Sequence, residues 1–192
     1  MEEKKGAIIA VSAPSGAGKT TIVKKILEEI PGLVFSISAT TRKKRDYEVD
    51  GVDYFFISKE EFLKKIKNSE FVEWEQFYGY YYGTFKSFVD DNINNGKSVL
   101  LEVDVKGALS IKNIYSTAYL IFIVPPSFDE LVSRLKNRKT EDEVELERRV
   151  ERAKMELKLK DNFDYLITND VLEKAISETK NLILKILNKE NI

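Results

Sequence analysis

Cysteine and histidine are both missing from these 192 residues. Without cysteine there is no disulfide, no thiolate nucleophile and no cysteine-bound zinc. Without histidine the commonest general base and the commonest metal ligand are gone. Any chemistry must run on carboxylates, lysine, arginine, hydroxyls, backbone amides and a hard cation held by oxygen. A charge surplus is missing too, since 31 basic residues face 32 acidic ones for a formal net charge of −1. Dedicated nucleic-acid binders carry a basic excess, so no nucleic-acid partner is expected and any positive site must be local. Long apolar runs are also absent. The first run, Ala7 to Val11, ends in a glycine-rich turn and lacks signal-peptide shape. Nothing approaches the roughly 18 apolar residues of a membrane span, so no membrane partner is expected and a cytoplasmic location is. There is no internal repeat and no low-complexity segment.

What remains suits one domain with small insertions, long enough to bury a core without staples. Ala7 to Val11 reads as a buried strand. A helix follows with Ile22, Val23, Ile26, Leu27 and Ile30 on one face, stopped by Pro31-Gly32. Leu33 to Ser38 and Tyr54 to Ile57 read as strands, with a loop over Ala39 to Asp53. Ser58 with Glu61 and Ser127 with Glu130 are capping boxes that open helices. Glu70 to Tyr82 is aromatic-rich and predicts short strands around a turn. A helix is predicted over Thr84 to Asn94. Ser98 to Asp104, Ala118 to Val124 and Asp164 to Thr168 read as further strands. Helices are predicted over Asp129 to Arg138, over Glu141 to Lys160, and from Leu172 to Ile186. Apolar strands alternating with helices predict an α/β fold with a parallel sheet covered on both faces.

The segment "SAPSGAGKTT" joins the first strand to the first helix. It follows the phosphate-loop pattern G-x-x-x-x-G-K-[ST] except that Ala13 stands at the first glycine. Alanine fits there if its φ is negative. Backbone amides at the helix start would face an anion. Lys19 would reach the β- and γ-phosphates, and the Thr20 hydroxyl would hold Mg²⁺. Glu102 and Asp104 end the strand "VLLEVD" two residues apart, on one face. Glu102 or Asp104 could hold that Mg²⁺ through water. Phosphoryl transfer from a nucleoside triphosphate needs positioning and charge neutralisation more than a strong base, which suits a chain lacking histidine. The Asn-Lys-x-Asp of a GTPase is absent, and motors carry more chain, so a small kinase fits best.

Two stretches bear on the acceptor. In "TTRKKRDYEVDGVDY", Arg42, Arg45 and Tyr54 supply two guanidinium forks and a phenol suited to a dianionic monophosphate. Lys43 and Lys44 are expected to face water. In "EFVEWEQFYGYYYGT", Glu73 lies between Val72 and Trp74, where a sheltered carboxylate could accept from the ring N–H and exocyclic amine of guanine. A hydroxyl from Ser38 or Thr84 could donate to the guanine carbonyl.

These segments, together with "LLEVDVKGA", "FIVPPS", "RLKNRKTEDEVELERR" and "YLITND", occur in an order and spacing that resembles the guanylate kinases over essentially the whole chain. The resemblance implies ATP and GMP as substrates, ADP and GDP as products, and Mg²⁺ with the ATP. It implies a three-layer P-loop kinase fold with a five-stranded parallel core sheet, plus inserted GMP-binding and lid subdomains. On that pattern residues 1–37, 85–125 and 160–192 form the ATP-binding core, 38–84 the GMP-binding part and 126–159 the lid. Ala13, Pro14, Ser15, Gly16, Ala17, Gly18, Lys19, Thr20 and Thr21 look like the ATP phosphate site, with Asn169 near the adenine. Ser38, Glu73, Thr84 and Asp104 look like guanine contacts. Arg42, Arg45, Tyr54 and Tyr82 look like the GMP phosphate clamp. Arg134, Arg138 and Arg149 resemble lid arginines that join Lys19 and Arg42 around the transferring phosphate. Lys139 stands where relatives often have glycine. A monomer or small homo-oligomer is expected. Two other readings stay open: an inactive guanylate-kinase-like binding module, and a kinase for another monophosphate.

Overall fold

A computed structural model describes residues 5–77, 79–137 and 143–189. The element order is β1 (Ile8–Ser12), α1 (Lys19–Glu29), β2 (Val34–Phe35), β3 (Ala39–Thr40), β4 (Phe55–Phe56), α2 (Lys59–Lys67), β5 (Phe71–Phe77), β6 (Tyr80–Phe85) and α3 (Lys86–Asn94). It continues with β7 (Val99–Glu102), α4 (Val105–Ile114), β8 (Tyr119–Val124), α5 (Phe128–Lys136), α6 (Glu143–Leu157), β9 (Tyr165–Thr168) and α7 (Leu172–Asn188). The main sheet is five-stranded in the order β2-β7-β1-β8-β9, and every pairing in it is parallel.

β1 is central and buried along its whole length. Its side chains alternate between the two faces, as a pleated strand requires. Ile9 and Val11 join one core cluster with Ile22, Ile26 and Ile183 from α1 and α7. Ile8 and Ala10 join the other with Val89, Val105, Ala108 and Ile111 from α3 and α4. Helices therefore cover both faces, as the near-continuous apolar strands predict.

The second sheet has four strands in the order β4-β3-β6-β5. β5 and β6 form an antiparallel hairpin, and β3 runs antiparallel to β6. Its own small core is Ala39, Phe62 and Phe71. The Phe62 ring stacks on Phe71 with centroids 4.4 Å apart. Gly83 of β6 leaves room for both rings, since a Cβ there would lie 3.0 Å from Phe62 and 3.1 Å from Phe71.

Most elements fall where the residue pattern puts them. Both serine caps form, with Ser58 Oγ accepting from the Glu61 amide at 3.0 Å and Ser127 Oγ from the Glu130 amide at 3.1 Å. Three expectations shift. The helix predicted from Thr84 begins at Lys86, because Thr84 is still in β6, paired with Glu73 of β5. Sheet pairing overrides the helical pattern there. Ala39–Thr40, predicted as loop, is a two-residue strand. β7 ends at Glu102, and Asp104 is instead the N-cap of α4, accepting from the Gly107 amide at 2.7 Å.

Phe62 is fully buried and stacks on Phe71 in the small core. Phe62→Ala should cost roughly 3–5 kcal/mol. Hydrogen exchange should show the loss concentrated in amides of β3, β5 and β6, with β1 and β8 still protected. Uniform acceleration across both sheets would contradict a separate small core.

Candidate functional site

The phosphate-loop segment spans the gap between β1 and α1. Ala13 is buried and is not among the residues with positive φ, so the missing glycine imposes no strain. Gly16 and Gly18 do need their freedom, with φ of 89° and 93°. Gly18 is the N-cap of α1 and no side chain caps that helix. The first-turn amides are therefore left for an anion. Ala13, Pro14, Ser15, Gly16, Gly18, Lys19, Thr20 and Thr21 all line one cleft of about 520 Å³, while Ala17 is buried behind them. Asn169 is not in the cleft wall. Its buried amide donates to the Ala17 carbonyl at 2.8 Å, and its own carbonyl accepts from Arg134 Nη1 at 3.1 Å. Asn169 thus props the loop from behind.

Lys19 folds toward the end of β7 and donates to the Val103 carbonyl at 2.6 Å. Desolvation pushes its ammonium below the ordinary lysine value, and the charges of Glu102, Asp104, Glu156 and Glu73 act the other way. The Thr20 hydroxyl donates to Glu102 Oε1. A hydroxyl beside a carboxylate at a helix start is an oxygen donor set that suits a hard cation. Asp104 is committed elsewhere: one oxygen caps α4 and the other accepts from Arg152 Nη2 at 3.0 Å. Of the two acids left open by the sequence, Glu102 is the one beside Thr20.

Other residues of the cleft come from the second sheet and its loops. Ser38, Tyr54, Glu73 and Tyr82 line it. Glu73 Oε1 accepts from the buried Thr84 hydroxyl at 2.6 Å. Desolvation pushes the Glu73 carboxyl up to about 7, with nearby Asp104 adding to the rise and Thr84 opposing it. Arg42, Tyr54 and Tyr82 form one cluster. The two phenol rings are 6.0 Å apart edge to face, and the Arg42 guanidinium lies 5.4 Å from the Tyr54 ring centre. Both forks of Arg42 are taken by buried Glu48, at 2.9 and 2.7 Å. Glu48 also accepts from the Arg45 amide at 2.8 Å, and the Arg42 hydrogen bonds hold its carboxyl down at about 2. The Arg45 side chain turns away: it is 59% exposed and bonds the Tyr47 hydroxyl. Lys43 is exposed, and exposed Lys44 returns its ammonium to the Glu48 carbonyl.

From the third segment, Arg149 and Arg152 of α6 line the cleft. Arg134 pairs with Glu130 at 2.8 Å on α5. Arg138 and Lys139 lie outside the described residues. Three residues that the sequence reading missed stand out. Glu48 organises Arg42, and its only local signal was its place three residues after Arg45. Arg152 bridges Glu75 of β5 and the Asp104 cap at 3.0 Å each, and Glu156 at 2.8 Å. Its guanidinium also lies 4.4 Å from the Phe77 ring centre. Glu156 is buried, and its second oxygen has no hydrogen-bond partner among the described residues. The i,i+4 spacing of Arg152 and Glu156 was legible, but it looked like an ordinary solvated helix pair.

Comparison with known proteins shows the family. Residues 5–186 match the sequence model of a family described as Guanylate kinase. The chain is 47% identical over 179 residues to the guanylate kinase of Thermotoga maritima, covering 93% of this chain and 86% of that one. It is 45% identical over 186 residues to that of Chlorobium chlorochromatii, covering 96% and 98%. Among solved structures, it is similar to guanylate kinase from Anaplasma phagocytophilum, with a TM-score of 0.74, 32% identity, and 97% and 87% of the two chains covered.

Glu73 carries a stability signature. Its carboxyl binds a proton more tightly in the folded state than the ordinary value of 4.5 allows in the unfolded one. That contribution to stability is present at low pH and is lost as pH rises through about 7. Glu73→Gln removes the charge and keeps an acceptor for Thr84. It should gain on the order of 1–3 kcal/mol relative to the wild type at pH 8 and little at pH 5. Urea titrations of the two proteins at both pH values check this, and a gain that does not depend on pH would refute it.

Proposed function

We propose a division of labour for a chain that belongs to the guanylate kinase family and so moves the terminal phosphoryl group of ATP to GMP, leaving ADP and making GDP. The observation that carries it is one cleft lined at one end by Lys19 and the glycine loop and at the other by Glu73, Tyr54 and Tyr82. A donor and an acceptor sharing one cleft gain the proximity that phosphoryl transfer needs.

The loop amides and Lys19 hold the ATP phosphates. To do so Lys19 gives up the Val103 carbonyl, a neutral partner, for a dianion. Thr20 and Glu102 are the residues that would hold Mg²⁺. When bound, that ion neutralises phosphate charge, which side chains of this chain also offset. Arg42, Tyr54 and Tyr82 grip the GMP phosphate, with Arg42 exchanging part of its two-pronged pairing to Glu48 for the phosphate. Arg45 needs a rotamer change to join. Glu73 accepts from the guanine ring N–H and amine as a carboxylate, while Ser38 and Thr84 offer hydroxyls and Asp104 a second acceptor. Arg134 and Arg149 approach the transferring phosphate from α5 and α6, and Arg138 belongs with them by its position.

In this scheme 1–37, 85–125 and 160–192 act as the ATP-binding core, 38–84 as the GMP-binding part and 126–159 as the lid. Closure of the two outer parts excludes water, which otherwise would take the γ-phosphoryl group. The reading carries a cytoplasmic location with it; among the described residues no helix is long and apolar enough to cross a membrane. Neither the inactive binding module nor a kinase for another monophosphate is favoured, since Lys19, Thr20 and the Glu73 pocket are all present.

A coupled assay of ADP release should show turnover with GMP and far less with AMP, CMP or UMP. Glu73→Gln should raise KM for GMP by about tenfold or more while KM for ATP stays within about twofold, because only the base loses a paired acceptor. Equal kinetics for mutant and wild type with GMP would remove Glu73 from the base site. Lys19→Met should lower kcat by roughly 10²–10³ with little change in KM for GMP. A large change in KM for GMP alone would assign Lys19 to the wrong substrate.

A further inference from the structure

The first turn of α4 contains a residue that the phosphoryl-transfer scheme does not use. Gly107 is buried in the run Val105–Ile114, three residues after the Asp104 cap. Its φ is not positive, so no turn geometry calls for glycine. In a helix, glycine is less favourable than alanine because its backbone has more freedom to lose. A local explanation is therefore lacking, and the reason lies in what surrounds it.

A Cβ at residue 107 would sit 2.9 Å from Glu73 Oε2, 3.0 Å from Asp104 Oδ1 and 3.3 Å from Glu73 Cδ. All three contacts are to the ends of two carboxylate side chains, and none is to backbone. One carboxylate comes from β5 of the second sheet, the other from the end of the main sheet, and α4 packs against β5. The two acids converge over the bare Cα of Gly107. We propose that Gly107 is a specificity-determining position: its missing side chain is the space in which the Glu73 and Asp104 carboxylates meet at the base-reading end of the cleft. This rests on the reading of Glu73 as the guanine acceptor.

The two acids would not respond equally to an added methyl group. Asp104 is pinned at both oxygens, by the Gly107 amide at 2.7 Å and by Arg152 at 3.0 Å. Glu73 is held through a single residue, Thr84, by its hydroxyl at Oε1 and by its backbone. Glu73 is therefore the group that moves, into the space where the base would lie. The phosphate loop is untouched, because neither contact at residue 107 belongs to it.

Gly107→Ala tests this, since its effects on folding and on base recognition have opposite signs. Expected are a melting temperature equal to or above that of the wild type, and a KM for GMP raised about tenfold or more with ATP unaffected. The preference for GMP over IMP, which lacks the exocyclic amine, should fall toward unity. A merely structural role would lower the melting temperature and shift both substrates together, and that outcome overturns the proposal. Glu73→Gln is measured alongside. If it abolishes the GMP-over-IMP preference while Gly107→Ala preserves it, the proposal fails and the Glu73 reading stands. If neither variant changes the preference, the Glu73 reading fails and the proposal with it.

Discussion

Carboxylates crowd the cleft, and two cations keep them there. Glu73, Glu102, Asp104 and Glu156 all act on the Lys19 ammonium, and Arg152 ties Glu75, Asp104 and Glu156 into one group. In a site of reduced dielectric, like charges this close repel strongly. Glu73 shows the consequence, with its carboxyl pushed up to about 7 by desolvation and by Asp104. The cleft therefore holds acidic groups at an electrostatic cost before anything binds. Each acid is given a task by the partner it has before substrate arrives: Glu102 by Thr20, Asp104 by the start of α4, Glu73 by Thr84.

The two sheets let this happen without unfolding anything. The parallel sheet is buried on both faces and anchors the phosphate loop at the end of its central strand. The smaller sheet rests on a separate core of a few aromatic rings and carries Glu73, Tyr82 and Thr84. Arg152 spans the segments, with its stem on α6 and its acceptors on β5 and the α4 cap. Any motion of α6 relative to the cleft is then felt by Asp104 directly.

Opposite strategies hold the two arginine and lysine grips in reserve. Lys19 rests on a neutral carbonyl, which under the proposed scheme it leaves for phosphate. Arg42 waits on the Glu48 carboxylate, a charge-assisted and two-pronged pairing. The first keeps a flexible stem available. The second fixes the direction of a planar group, at the cost of competition with the anion it serves.

Several of these features could be read directly along the chain. Strand, glycine loop and amphipathic helix at Ile8 to Glu29 are local patterns, each set by a period or a backbone requirement within a few residues. The same is true of the serine caps at Ser58 and Ser127 and of the alternation that sheltered Glu73. Thr84 was misread as helical because its partner, Glu73, lies eleven residues away in another strand. Glu48, Arg152, Glu156 and Gly107 carried no distinct local signal, since an acid in a loop, a charged helix and a lone glycine are all common.

The sequence by itself determined the fold class and the phosphate-loop pattern, because backbone geometry and side-chain period act over short stretches, while the kind of acceptor came from the resemblance to a family. Only the tertiary structure decided which acids meet. Arg152 reaches partners 77 and 48 residues away, and Gly107 makes room for a carboxylate from β5. Coulomb and steric forces depend on distance in space, and that distance is set by how the two sheets and the helices pack, not by order along the chain.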